Sequence, residues 1–274
     1  MVHEKARVAG SSAKDRPIGV FDSGVGGLTV VAALRRRLPN ESFLYLGDTA
    51  RLPYGTKSPR TVRHYAERNL RFLAERQVKG IVIACNTASA VDLRVNLSIP
   101  VWRVIEPGAE TAAKATQGRV GVIATESTIE SGAYERALMN LRSDLEIWSR
   151  PCALLVPLVE TDWHNEPVTK EILGRYLSGG KDFGIDTLVL GCTHYPMLKS
   201  VIGEVMGDQV VLVDSAEAVS EQVAVDLTQQ DALAEHRRQP DRFYATDVAG
   251  RFQHIARRIL NDPEVTLEHV EVVE

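Results

Sequence analysis

A strand-like apolar run that ends in a cysteine and two hydrogen-bonding residues occurs twice in this chain, and no other feature narrows its fold as much. Ile81-Val82-Ile83-Ala84-Cys85-Asn86-Thr87 is echoed by Leu188-Val189-Leu190-Gly191-Cys192-Thr193-His194. A second echo pairs Ile18-Gly19-Val20-Phe21-Asp22-Ser23 with Val120-Gly121-Val122-Ile123-Ala124-Thr125 at a nearly equal offset. Repeats at similar spacing mark two related α/β halves. In open α/β sheets the carboxyl ends of the strands line the ligand crevice. Cys85 and Cys192 therefore share one cleft if the halves face each other.

The remaining pattern agrees with mostly parallel sheets. Short β-rich runs alternate with longer helical stretches, as in repeated βα units. Strands are expected at 18–21, 42–46, 80–84, 101–105, 120–124, 154–157, 187–190 and 209–213. Most are continuous apolar runs, as befits strands covered on both faces. Helices are expected at 28–37, at 58–77 with Pro59 in a permitted first-turn position, at 216–229 and at 248–260. In the second of these Val62, Tyr65, Ala66, Asn69, Leu70, Leu73 and Ala74 follow helical spacing. The polar stretch 234–242 reads as surface, 243–246 as a short strand, and 265–274 as a further strand. Residues 1–15 read as a mobile extension without chemistry.

Composition bounds the partners. With 274 residues, 44% hydrophobic and 25% charged, the chain can bury a core without staples. Its length suits two domains, one large domain being the alternative. A net charge of −4, from 32 Lys and Arg against 36 Asp and Glu, supplies no basic excess for a phosphate backbone. Nucleic acid is not expected as the primary partner. No apolar stretch approaches the roughly 18 residues of a membrane span. The start of the chain is polar and lacks an apolar signal core, so a cytoplasmic protein without membrane contact is expected. Cys85, Cys152 and Cys192 form no C-x-x-C pair, so free thiols in a reducing compartment are expected.

A lone cysteine after an apolar run is most often a small buried hydrophobe, and Cys152 is read that way. Cys85 and Cys192 differ, because the arrangement recurs and each is followed by polar side chains. Two matched thiols suit proton transfer between opposite faces of one carbon: one removes a proton while the other returns one. Asp22-Ser23-Gly24-Val25-Gly26-Gly27 matches no nucleotide-phosphate motif. It offers helix N-terminal amides for a small carboxylate, beside an aspartate able to bind an ammonium or assist a thiol. Gly47-Asp48-Thr49-Ala50-Arg51-Leu52-Pro53-Tyr54-Gly55 is either a plain turn or a lid in which Tyr54 and the Gly55 amide clamp a carboxylate. Glu160 faces solvent, or else orients His194 beside Cys192. Trp163 and His164 read as loop packing. Thr125 or Ser127 is a candidate helix cap. A metal site built from Cys85, Cys192 and His194 is disfavoured, because their spacing matches no zinc pattern. No lysine announces a pyridoxal phosphate anchor.

Taken together, Asp22-Ser23-Gly24-Val25-Gly26-Gly27, Pro53-Tyr54-Gly55, Cys85-Asn86-Thr87, Leu158-Val159-Glu160 and Gly191-Cys192-Thr193-His194-Tyr195-Pro196 resemble the motif set of bacterial glutamate racemases. The resemblance spans about residues 17–215, in order. It implies two pseudo-symmetric α/β domains with mostly parallel sheets facing each other across an active-site cleft. The C-terminal helices would return to the first domain, giving 16–111 plus 222–274 as one domain and 112–221 as the other. It further implies cofactor-independent interconversion of L- and D-glutamate, D-glutamate supply for peptidoglycan, and a homodimer. Cys85 would handle the proton of D-glutamate and Cys192 that of L-glutamate. Asp22 would assist Cys85, and Glu160 with His194 would assist Cys192. Substrate contacts would come from Asp22, Ser23, Tyr54, Gly55, Asn86, Thr87, Thr193 and His194. The alternatives are a two-cysteine racemase for aspartate, a hydrolase using Cys192 and His194 alone, and a non-catalytic amino-acid-binding protein.

Overall fold

The computed structural model describes residues 13–272. The expected extension at 1–15 lies outside them except for a 3-10 turn at Ala13–Asp15, and the last two residues of the expected strand at 265–274 also lie outside. Within the described residues the strands are β1 (Ile18–Asp22), β2 (Phe43–Gly47), β3 (Gly80–Ile83), β4 (Val101–Arg103), β5 (Arg119–Ala124), β6 (Glu146–Pro151), β7 (Thr187–Gly191), β8 (Val211–Asp214), β9 (Arg242–Ala245) and β10 (Leu267–His269). They form two sheets, ordered β10-β9-β2-β1-β3-β4 and β6-β5-β7-β8, with every pairing parallel. The order β2-β1-β3-β4 in the first matches β6-β5-β7-β8 in the second. The two sequence echoes thus match β1 with β5 and β3 with β7, and in each sheet the echoed strands are neighbours, β1 beside β3 and β5 beside β7.

Helices fill the crossovers: α1 (Leu28–Arg37), α2 (Pro59–Glu75), α3 (Asn86–Ser89), α4 (Ile105–Ala115), α5 (Glu126–Glu130), α6 (Ala133–Leu141), α7 (Leu155–Glu160), α8 (Pro167–Phe183), α9 (Lys199–Met206), α10 (Ser215–Gln229) and α11 (Gly250–Leu260). Because successive side chains on a strand point to opposite faces, each sheet feeds two cores. Ile18 and Val20 of β1 meet Leu34 of α1, Val223 of α10 and Phe252 of α11, while Phe21 meets Val62, Leu70 and Leu73 of α2 on the other side. In the second sheet Ile123 and Leu190 pack with Leu173 and Leu177 of α8, and Val122 and Val189 with Ala109 of α4 and Leu138 of α6. Each such fully buried Leu or Val contributes about 1.5–3 kcal/mol. The expected start of α2 is realised: Ser58 caps it by accepting the Thr61 amide at 3.3 Å, and Pro59 opens its first turn.

One element expected from sequence is corrected. The run 154–157 is not a strand but the start of α7, and the strand at that place in the sheet is β6, just before it. A short apolar run fits a buried helical turn as well as a strand, and Leu155, Leu158 and Val159 bury one face of α7. Strand β6 escaped notice because it is an edge strand, with Glu146, Arg150 and Pro151 exposed. The strand expected at 101–105 is shorter, ending at Arg103 before α4 begins at Ile105.

Candidate active site

The strand order reverses between β1 and β3 in the first sheet and between β5 and β7 in the second, the place where open α/β folds bind ligands. Ser23 follows β1 and Cys85 lies just beyond its neighbour β3. Thr125 follows β5 and Cys192 follows β7. All four line one cavity of about 460 Å³. Both cysteines are 5% exposed and carry free thiols, as does Cys152, which lies wholly buried in the core of the second half.

The surroundings of the two thiols differ. The Cys85 thiol donates to Ser23 Oγ at 3.5 Å. Burial, reinforced by the nearby Asp22 carboxyl, pushes that thiol from its ordinary value of 9.0 to about 12. Asp22 itself is fully buried and lies behind the cavity wall rather than in it. Its Oδ2 accepts the Gly24 amide at 2.9 Å, and its Oδ1 accepts from Thr193 Oγ1 at 3.4 Å, across to the second half. Burial raises its pKa, opposed by the charge of His194 and the amides of Gly24, Gly27 and Ser23. The Ser23, Gly24 and Gly27 amides of this turn are thus directed at the chain's own Asp22.

Beside Cys192 stands a chain of partners. Its Sγ is 3.9 Å from His194 Nδ1, and His194 Nε2 is 3.2 Å from Glu160 Oε1. Burial disfavours the imidazolium, yet the hydrogen bonds and charges of Cys192 and Glu160 outweigh it and hold His194 at about 10. Glu160 sits at the end of α7 and is not a free solvent-facing acid.

Other contacts seal the two halves around the cavity. Gly26 fits against His194 and Thr193 so closely that a Cβ there would lie 2.5 Å from His194 Nδ1. Thr29 Oγ1 donates to the Thr193 carbonyl at 3.0 Å. The hydroxyls of Thr87, Thr125 and Thr128 meet at 2.9–3.1 Å, with Thr87 from the first half and the others from the second. Thr125 stands at the start of α5, but its hydroxyl makes no capping bond. Asn86 Oδ1 accepts from Tyr134 at 2.7 Å, while its buried Nδ2 has no partner among the described residues. Tyr54 lines the cavity, with its hydroxyl bound to the buried Asp48 carboxylate and accepting from Asn69 Nδ2 at 3.1 Å. Burial and Asp48 push that phenol well above its ordinary value. Gly55 lies against Thr125, with no room for a side chain.

Ser23, Tyr54, Gly55, Cys85, Asn86, Thr87, Glu160, Cys192, Thr193 and His194 are thus brought together, with Asp22 directly behind them. Trp163 and His164 are not in the wall; Trp163 is 53% exposed, and His164 Nδ1 lies 3.2 Å from Asp162 Oδ1 without a hydrogen bond. Sequence reasoning missed Glu126, Val156 and Arg251 as lining residues. Glu126 was within reach of the echo, since it follows β5 as Gly24 follows β1. Arg251 carries no local signal, because α11 brings it in from the far end of the chain. Among the described residues no three His, Cys, Asp or Glu side chains form a group able to hold a metal ion.

A family model described as Asp/Glu/Hydantoin racemase matches residues 28–223. The chain belongs to this racemase family. The protein is 49% identical to a glutamate racemase of Geobacter metallireducens over 250 residues, covering 89% of this chain and 93% of that relative. Its fold superposes on a glutamate racemase isoform of Bacillus anthracis with TM-score 0.90 and 39% identity, covering 94% of this chain and 98% of the other. The glutamate racemase of Francisella tularensis, solved with D-glutamate, gives TM-score 0.88 and 38% identity over the same shares. Family membership and the two-sheet fold agree with the resemblance seen in the motifs.

Proposed function

We propose that this protein interconverts L- and D-glutamate by proton transfer between Cys85 and Cys192 on opposite faces of the α-carbon, without a cofactor. The observation that carries this reading is the matched placement of two thiols, beyond the equivalent strands β3 and β7, in the wall of one cavity. Glutamate is the substrate named for its relatives in the family.

The charges set the order of events. At neutral pH a thiol held near 12 is protonated, so Cys85 stands ready as an acid. His194, held near 10, is an imidazolium beside Cys192, placed to favour negative charge that develops on that sulfur. With L-glutamate the Cys192 thiolate takes the α-proton, the C–H electron pair stays on carbon, and the Cys85 thiol protonates the opposite face to give D-glutamate. Cys192 then holds the proton and Cys85 is a thiolate, the state suited to the reverse reaction. The α-proton is far less acidic than a thiol, so the carbanion needs donors fixed in a dry site. Asn86 Nδ2 is one, buried in the wall and unused by the protein among the described residues. Ser23, Thr87, Thr193, Tyr54 and Gly55 hold the substrate, and Asp22 supports the Cys85 side. The same reading makes 16–111 with 222–274 one domain and 112–221 the other. It also makes the protein a cytoplasmic homodimer supplying D-glutamate for peptidoglycan. No helix among the described residues is long and apolar enough to cross a membrane.

Circular dichroism of L- or D-glutamate with the dialysed protein and a reductant tests this. Both signals are expected to decay to zero, and Cys85→Ser or Cys192→Ser to lower the rate at least about 100-fold in folded protein. A folded wild type that leaves both enantiomers untouched and racemises aspartate moves the substrate. A single cysteine variant with normal turnover in both directions defeats the two-thiol mechanism.

A further inference from the structure

Helix α11 belongs to the core of the first sheet through Phe252, Ile255 and Ala256. Two of its arginines, a heptad apart on one helix face, reach toward the second half. Arg251 lines the cavity, and Arg258 crosses to the end of α7. Arg258 Nη2 donates to the Val159 carbonyl at 3.2 Å, and Nη1 is paired with Asp162 Oδ1. These acceptors flank Glu160, one residue before it and two after. Asp162 is also one of the few non-glycine residues with a left-handed backbone, at φ 65°. A non-glycine residue takes that conformation at some cost and needs surrounding contacts to keep it.

We propose that Arg258 is a positioning residue for the reaction, clasping the chain on both sides of Glu160, through the Val159 carbonyl before it and the Asp162 side chain after it, so that the Glu160 carboxylate stays on His194. The inference rests on the racemase reading above. Helix α7 has only six residues, too few to be rigid by itself. An exposed ion pair by itself holds a segment weakly, but this one is anchored on a partly buried guanidinium with a second, backbone acceptor. Burial lowers the pKa of Arg258, and its buried Nε has no partner among the described residues, so seating the guanidinium there costs hydration. The chain of contacts runs from α11 through the α7 terminus to Glu160, from Glu160 Oε1 to His194 Nε2, and from Nδ1 to Cys192.

The test uses the full chain, isotope-labelled so that the His194 ring can be titrated by NMR, with turnover measured from both enantiomers. The groups acting on that ring are Glu160, Cys192 and Asp22. Arg258→Ala is expected to lower the His194 pKa by about one unit, because the hydrogen bond from Glu160 favours the imidazolium. It is expected to lower kcat from L-glutamate about 10-fold with KM little changed, through misplacement alone. Arg258→Lys should restore most of both. A folded Arg258→Ala protein with wild-type turnover, or one that loses turnover while His194 titrates unchanged, overturns the proposal. If Arg258→Ala does not fold, Asp162→Asn decides: asparagine tolerates the left-handed turn but lacks the charge. An unshifted His194 with full turnover in that variant overturns the clasp. A wild type that fails to racemise refutes the reading of function instead, while the His194 titration still reports on the clasp.

Discussion

A methyl group on Gly26 would lie 2.5 Å from His194 Nδ1 and from Thr193 Oγ1, closer than any real Cβ contact. The absence of a side chain there lets the first half sit directly on the imidazole of the second. Gly26→Ala must push His194 off Cys192 or part the two halves, and overpacking of this kind costs about 1–3 kcal/mol. We expect a lower melting temperature and at least a roughly 10-fold loss of turnover, because the imidazole no longer meets the thiol. A variant with normal kcat would show that the contact is dispensable. Residues of this sort were only partly legible in the sequence. The cysteines announced themselves by recurrence, whereas Gly26 looked like one glycine of a turn. Its neighbour across the cleft, His194, is 168 positions away by number, and nothing local records that distance.

Among elements, α6 and α3 are joined by the Tyr134 hydroxyl, which donates to Asn86 Oδ1 at 2.7 Å and thereby aims the other end of that amide. Tyr134→Phe leaves a buried carbonyl oxygen without its donor, a loss of about 1–3 kcal/mol. It also frees Asn86 to rotate. The expected outcome is a lower urea midpoint together with a higher KM for glutamate, and a change in neither would argue against this role for Asn86. The central strands were readable because β1, β3 and β7 are buried along their whole length and so are mostly apolar, with Asp22 and Thr187 as polar exceptions at strand ends. The edge was not: β6 alternates no clear face and carries Glu146 and Arg150, while the apolar run behind it belongs to α7. Tertiary packing, with no local signal in sequence, also decides that α11 reaches across to α7.

For the molecule as a whole, the site binds protons more tightly folded than unfolded. His194 is raised from 6.5 to about 10, Cys85 from 9.0 to about 12, and Asp22 upward from 3.8. A raised pKa contributes stability that is complete below the unfolded value and disappears as pH climbs through the folded one. The sign is the same for all three groups. Unfolding free energy from urea titrations should therefore fall between pH 6.5 and about 10 through His194, and further from 9.0 to about 12 through Cys85. His194→Asn is expected to flatten the first part of that decline, and a wild type equally stable at both ends of the window would contradict these assignments. The sheet order carries one more consequence. Strand β2 pairs with β9, which in turn pairs with β10, and both come after the entire second sheet in the chain. As the polypeptide leaves the ribosome, β5 to β8 can assemble as soon as they emerge, whereas β2 waits with a bare edge, open to foreign strands, until residues 242–245 arrive. The half that is translated first is thus the half that is completed last.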